Sequence, residues 1–61
     1  MELLTVAEAA KRLCVGRSVL YGLIASGQLE SVTIGRSRRV PADAVDVFIE
    51  RLREMARHHD A

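Results

Sequence analysis

Residues 5–27 read TVAEAAKRLCVGRSVLYGLIASG, and the rest of the chain can be interpreted from this stretch. Its two halves meet at Cys14-Val15-Gly16, and in each half apolar residues recur at the spacing of one helix face. These residues are Val6, Ala9, Ala10 and Leu13 in the first half, then Leu20, Leu23 and Ile24 in the second. Two short helices joined by a tight turn are typical of a helix-turn-helix motif.

The ends of the two predicted helices carry their own signals. Thr5 and Glu8 have the spacing of a capping box, which predicts that the first helix begins directly after Thr5. Leu4 is expected to pack over that first turn as a hydrophobic staple. Gly27 should close the second helix, because glycine adopts a left-handed backbone at little cost. Cys14 stands where glycine is often found in the turn, and a positive φ there would cost it more than glycine.

Beyond the second helix the hydrophobic period changes to two. This alternation predicts a short strand in which Val32 and Ile34 point inward and Thr33 points outward. Residues 35–38, GRSR, are predicted to form the turn, and Arg39 begins the returning strand. A hairpin of two strands is marginal alone, so we expect it to pack on the helices.

A third helix is predicted over about residues 42–57. Pro41 suits its first position, and Asp43 and Asp46 suit the positive end of its dipole. Its apolar face should supply much of the core and consists of Val45, Phe48, Ile49, Leu52 and Met55 or Ala56.

These elements predict a mainly α protein with a small β-hairpin, arranged α-α-β-β-α as a winged helix-turn-helix. We expect one domain over residues 1–61. Its predicted parts are helix 1 at about 6–13, a recognition helix at about 17–26, a wing hairpin at about 31–40 and helix 3 at about 42–57.

Length and composition exclude several classes of function. A chain of 61 residues buries only ~60% of its unfolded surface, which is too little for a deep catalytic cavity with a cofactor. The sequence contains no catalytic carboxylate pair, activated nucleophile or phosphate-binding loop, so we expect neither an enzyme nor a cofactor. His58 and His59 lack a third ligand, and no metal is expected. The lone Cys14 is expected to be a small core residue.

The same composition bears on localisation. A single cysteine forms no internal disulfide, which fits a reducing compartment. The sequence has neither an apolar run long enough to cross a membrane nor a signal-peptide pattern. We therefore expect a cytoplasmic protein.

Charge is distributed unevenly along the chain. The formal net charge is only +1, but residues 11–40 carry six cations against Glu30 alone, a net charge of +5. Residues 1–10 and 41–61 each have a net charge of −2. This asymmetry indicates that one surface faces a polyanion.

The recognition helix offers three candidate DNA-binding residues, Arg17, Ser18 and Tyr21, on the side away from its apolar face. An arginine at a helix N-terminus suits a phosphate or a guanine edge. Tyr21 can donate a hydrogen bond to phosphate, although it could equally cap the core. Lys11 and Arg12 fit a solvated face, with a phosphate contact as the alternative.

The wing offers four more candidates: Arg36, Ser37, Arg38 and Arg39. Clustered arginines on a thin projection suit a phosphate strand or the minor groove, whose negative potential attracts arginine. The alternative is a charged strand edge that resists aggregation.

Four segments together give the chain a family resemblance. LTVAEAAKRL opens helix 1, GRSVLYGLIASGQL spans the recognition helix, VTIGRSRRVP spans the wing, and a helix follows from Asp43. In this order they resemble the excisionase family and, more widely, the MerR-type winged-helix DNA-binding domains, over residues 4 to about 52.

The resemblance implies that helix 2 enters the major groove and that the wing engages the adjacent minor groove. It also implies an accessory factor that bends DNA beside a phage- or plasmid-type integrase and favours excision. Gly22, Ala25 and Thr33 stand where relatives often carry cations, and Gly16 stands where serine is usual. One copy should therefore bind weakly, with cooperative self-association on tandem sites as the remedy.

Two other functions remain open at this level. A small transcriptional regulator would use the same residues, so the sequence does not separate it from an excisionase. A protein-interaction module without DNA binding would differ in its response to salt, because phosphate contacts weaken as salt rises.

Overall fold

The computed structural model of the protein describes residues 2–59. Three helices and an antiparallel hairpin confirm the predicted winged helix-turn-helix class. The helices and the hairpin begin and end within two residues of the predicted positions. In chain order the elements are β1 (Leu3–Thr5), α1 (Val6–Leu13), α2 (Arg17–Ala25), β2 (Val32–Ile34), β3 (Ser37–Pro41) and α3 (Ala42–His59).

Helix α1 begins with the capping box that the sequence predicts. The backbone N–H of Glu8 donates to the Thr5 hydroxyl at 3.1 Å, and the N–H of Thr5 donates to Glu8 Oε1 at 2.8 Å. These two bonds satisfy donors that a helix start otherwise leaves unpaired.

Both helices of the motif end in the same left-handed turn. At the end of α1, Cys14 has a φ of 57°, and Val15 N–H donates to Ala10 O at 3.0 Å. At the end of α2, Gly27 has a φ of 81°, and Gln28 N–H donates to Leu23 O at 3.0 Å, so the predicted glycine cap is confirmed. Both arrangements are Schellman motifs.

The expectation that Cys14 is a core residue is wrong. Its side chain is exposed. The left-handed backbone that ends α1 directs Cys14 outward, and Val15 packs against the core instead.

A third strand, β1, joins the hairpin in a sheet of order β1-β3-β2. The sequence pattern did not predict this strand, and the staple expected of Leu4 is replaced by a strand position opposite Val40. Leu4 and Val40 are both buried. This central pair joins the wing to the body of the domain, which explains how so short a hairpin is stable.

The hairpin turn is shorter than predicted. It comprises Gly35 and Arg36 only, with a positive φ of 61° at Gly35, as a two-residue type II′ turn requires. Ser37 and Arg38, predicted in the turn, are the first residues of β3. Ile34, predicted to point inward, is 59% exposed, because the strand register places it on the sheet face away from Leu4 and Val40, with only Ser37 opposite it.

The core lies between the helices and one face of the sheet. Helix α3 contributes only its first turns to it, through Ala44, Val45 and Phe48. The prediction that its apolar face continues inward is wrong for Ile49 and residues beyond it, which are exposed where α3 extends past the body of the domain. Pro41, predicted to open this helix, is the last residue of β3. The buried hydrophobic residues of the core are Leu4, Val6, Ala9, Ala10, Leu20, Leu29, Val40, Ala44, Val45 and Phe48.

Candidate nucleic-acid interface

One open cleft lies between the start of α1, helix α2 and the wing. We refer to it as the arginine cleft. Five of the seven predicted DNA-binding residues line it, and they come from two separate parts of the chain. The lining consists of Arg17 and Tyr21 from α2, Arg36, Arg38 and Arg39 from the wing, and Thr5, Val6 and Ala7 from the start of α1.

The two predicted serines do not line the arginine cleft. Ser18 is exposed on α2, and Ser37 is exposed on β3 opposite Ile34. At 100° per residue, Ser18 lies at the centre of the outward face of α2, with Gly22 and Ala25 one and two turns further on. The structure therefore separates a small-residue face of α2 from the cleft beside it.

Leu20 holds helix α2 in this orientation. Its side chain is fully buried, and Leu23 and Ile24 pack against the same core. Because Arg17 and Tyr21 lie away from these anchors, both remain exposed at the edge next to the wing.

The wing arginines differ in how they are held. Arg38 Nη1 donates to the Ser31 hydroxyl at 2.7 Å, and Arg39 Nη1 donates to the carbonyl oxygen of Arg38 at 3.0 Å. Arg39 is half-buried, whereas Arg36 is exposed in the turn. Arg39 is therefore held in position within the cleft, whereas the guanidinium of Arg36 at the outer end is freely accessible.

The electrostatic character of the cleft is uniformly positive. Four arginines line it, and within residues 2–59 no carboxylate does. Glu8 lies near by, but its carboxylate accepts a hydrogen bond from the Thr5 N–H as part of the helix cap. The hydrogen bonds with Thr5 lower the pKa of Glu8, with smaller contributions from Arg12 and Arg39. An anion is the ligand that this surface suits.

Lys11 and Arg12 lie outside the arginine cleft, on a surface shared with Glu2. Arg12 Nη2 is 3.4 Å from Glu2 Oε1, and both side chains are exposed. This arrangement fits the solvated face that was one of the two interpretations of these cations.

The sequence did not predict that α1 contributes to the cleft. Thr5, Val6 and Ala7 form part of its lining. The capping box located the start of this helix, but only the packing of α1 beside the sheet brings that start next to Arg17. Val19 was also missed: it is an apolar residue of α2 with more than half of its side chain exposed.

Within residues 2–59, no group of three potential metal ligands comes together. In the same range, the helices lack the combination of length and hydrophobicity that a bilayer crossing requires.

A helix-turn-helix whose second helix shares a basic cleft with a β-hairpin defines a winged helix-turn-helix domain of the DNA-binding class. Residues 3–53 match the family model described as a helix-turn-helix domain. The chain belongs to this family and, by its similarity to the relatives below, to the excisionases within it.

Two curated relatives carry that similarity. A protein of Saccharopolyspora erythraea named "Probable excisionase" is 58% identical over 50 residues, which are 82% of this chain and 51% of the relative. A protein of Streptomyces ambofaciens named "Excisionase" is 55% identical over 49 residues, 80% of this chain and 79% of the relative. The chain thus spans about half the length of the first relative. No solved structure gives a significant match.

Proposed function

We propose that this protein binds and bends duplex DNA as an accessory factor that acts with a phage- or plasmid-type integrase in excisive recombination. The observation that carries the proposal is the arginine cleft, which joins α2 and the wing on one surface. The excisionase names of the relatives support the recombination role. In this proposal the wing has the MerR-type arrangement.

Helix α2 is the element that enters the major groove. Arg17 stands at its N-terminus, where a guanidinium can contact a guanine edge or a phosphate beside free backbone N–H groups. Tyr21 follows one turn later at the same edge and donates to a phosphate. The small face formed by Ser18, Gly22 and Ala25 lets the backbone of α2 approach the floor of the groove.

The wing then follows the DNA backbone to the adjacent minor groove. Arg36 at the turn reaches furthest, while Arg38 and Arg39 lie nearer to α2 and contact phosphates along the path between the grooves. Ser37 offers a hydroxyl beside them. Contacts from two elements to two successive grooves fix the register of the domain on the duplex.

Few cations take part, so a single copy binds weakly. Each phosphate contact contributes about one unit to the dependence of log affinity on log salt concentration. Cooperative binding on tandem sites compensates for a low single-site affinity, because each bound neighbour raises the local concentration of the next. We propose this mode of assembly at the DNA sites.

Fluorescence anisotropy with a duplex tests the DNA-binding part of the proposal. The duplex is first selected by the protein from a random pool, and affinity is then measured across a salt series. Arg36→Gln and Arg39→Gln should each reduce the salt slope by about one unit. Arg53→Gln is the matched control, because Arg53 is exposed on α3 and pairs with Glu50 at 3.0 Å away from the cleft. Equal slopes for all three variants would contradict DNA binding by the cleft, and the absence of salt-dependent binding to any duplex would favour a protein-interaction module.

A recombination assay tests the biological role. Attachment-site reporters are combined with the cognate integrase, with and without this protein, and excision and integration are scored separately. The proposal requires that the protein raises excision and that the Arg36→Gln variant loses this effect. A protein that binds DNA with the expected salt slope but leaves recombination unchanged would be a transcriptional regulator instead.

A further inference from the structure

An isoleucine occupies the outer end of the wing, where a polar residue would be expected. Ile34 is the last residue of β2 and precedes the turn at Gly35. It is 59% exposed, the largest exposed fraction among the large hydrophobic residues of the described chain. Across the ladder it faces only Ser37, whose side chain is too short to cover it. No part of the protein core accounts for this side chain.

The register of the sheet shows which way Ile34 points. Residues directly opposite each other in an antiparallel sheet lie on the same face, and faces alternate along a strand. Thr5 is opposite Arg39, and Arg39 is opposite Val32, so Ile34 shares the face of these three residues. Leu4 and Val40, which pack into the core, lie on the other face. Thr5 and Arg39 line the arginine cleft, and Ile34 continues their face towards the tip.

We propose that Ile34 is an apolar wedge that presses into the DNA minor groove, partly unstacks one base step and thereby bends the duplex. The proposal deepens the DNA-binding function and rests on it. Apolar wedges of this kind kink DNA in architectural proteins, and the bend lets more of the protein contact the duplex. Arg36 and Arg39 lie on either side of Ile34 along the wing and hold phosphates on both sides of the affected step.

The same mechanism predicts a sequence preference without a hydrogen bond to a base. Pyrimidine–purine steps such as TA and CA unstack most easily, so the cost of the wedge is least there. The duplexes that the protein selects should therefore carry such a step at the position under the wing. The amount of bending and the preference for that step depend on one side chain.

Two measurements on the selected duplex test the wedge. Permanganate oxidises thymines that are unstacked, and energy transfer between fluorophores at the duplex ends reports the bend. Ile34→Thr keeps a β-branched strand residue and removes apolar surface, and Ile34→Leu restores it. Thr33→Ala is the matched control, because Thr33 is exposed in the same strand on the opposite face. Thermal melting verifies that each variant is folded.

The wild-type protein and Ile34→Leu should produce a hyperreactive thymine under the wing and a bent duplex. Ile34→Thr should lose both signals and bind about 3- to 10-fold more weakly, with its salt slope unchanged because no phosphate contact is lost. Thr33→Ala should behave as wild type. Full reactivity and bending with Ile34→Thr would overturn the wedge.

The outcome for the wedge is separable from that for the proposed function. If Ile34→Thr keeps DNA bending but abolishes association between copies in sedimentation, Ile34 contacts protein and the wedge is wrong. If the wild-type protein shows no salt-dependent DNA binding at all, the proposed function is wrong, and the wedge that rests on it is wrong as well. A straight duplex bound with the normal salt slope by wild type would refute the wedge and the bending part of the proposed function, while DNA binding by the arginine cleft would stand.

Discussion

At the scale of single residues, the two left-handed positions that end α1 and α2 differ in the conformational free energy that they cost. Cys14 adopts a φ of 57° at a cost of roughly 1–2 kcal/mol, whereas Gly27 adopts a φ of 81° freely. Cys14→Gly should therefore stabilise the protein by about 1 kcal/mol, which raises Tm by roughly 4–8 °C in a domain of this size. Gly27→Ala should lower stability by a similar amount, although the space around it is open. Thermal unfolding measures both; a destabilised Cys14→Gly would show that the exposed thiol makes a contact that matters.

The capping box makes a second prediction at this scale, about pH. Hydrogen bonds with Thr5 lower the pKa of Glu8 below its ordinary value of 4.5, so the unfolded state binds the proton more readily. The stabilisation is complete above pH 4.5 and is lost as pH falls through the lower folded-state value. Glu8→Gln retains a capping side chain without the charge, and its unfolding curve should approach that of wild type only in acid.

Thr5→Ala provides the companion variant, since it removes the hydroxyl and should cost about 1 kcal/mol at neutral pH. If the difference between wild type and Glu8→Gln is the same at pH 7 and in acid, the carboxylate is not the stabilising form.

At the scale of one element, α2 carries a glycine in its interior at a cost to its own stability, which the proposed function explains by close approach to a groove. Gly22 lies inside the helix, and a Cβ added there would meet nothing within 4 Å. Gly22→Ala should stabilise the protein by up to ~1 kcal/mol. The same methyl group lies on the small face of α2, so DNA affinity should fall about 3- to 10-fold, as a clash of roughly 1 kcal/mol produces.

Gly16→Ser is the matched control for this variant, because it adds a cap to the same helix and leaves the small face unchanged. Calorimetry and anisotropy are compared for both. A stabilised Gly22→Ala that binds DNA as well as wild type would place the centre of α2 outside the groove.

At the scale of the whole molecule, α3 is divided between a buried beginning and an exposed end. Phe48 is 8% exposed and belongs to the core, whereas Leu52, one turn later, is 45% exposed. Phe48→Ala should cost about 3–5 kcal/mol, and Leu52→Ala should change stability by less than about 0.5 kcal/mol. Urea unfolding at two protein concentrations measures both. A large, concentration-dependent loss with Leu52→Ala would show that the end of α3 packs against another copy in solution.

Local sequence signals were sufficient wherever a short stretch carries its own physical constraint. The Thr5–Glu8 spacing and Gly27 located helix ends, and the period of apolar residues located the helices. Local signals did not predict structure that depends on a neighbour distant in sequence. Strand β1 exists because Leu4 meets Val40 across the sheet, and three residues carry no readable period of their own.

The burial of apolar residues was also not predictable from local patterns alone. Ile34 and Leu52 fit inward-facing patterns, yet both are exposed. The strand register puts Ile34 on the sheet face away from Leu4 and Val40, and α3 extends past the body of the domain at Leu52. An alternating or helical pattern identifies the faces of an element, but which face is covered, and over what length, depends on the other elements.

The helix-turn-helix, the hairpin and the arginines at 36, 38 and 39 can be read from the chain alone, because propensity, capping and charge act between near neighbours. Packing between distant segments was needed to bring Arg17 and Tyr21 into one cleft with those arginines, to complete it with the start of α1, and to place Ile34 on the same face. The physical reason is that burying Leu4, Leu20 and Val40 in one core fixes the sheet against α2. No residue encodes that placement alone.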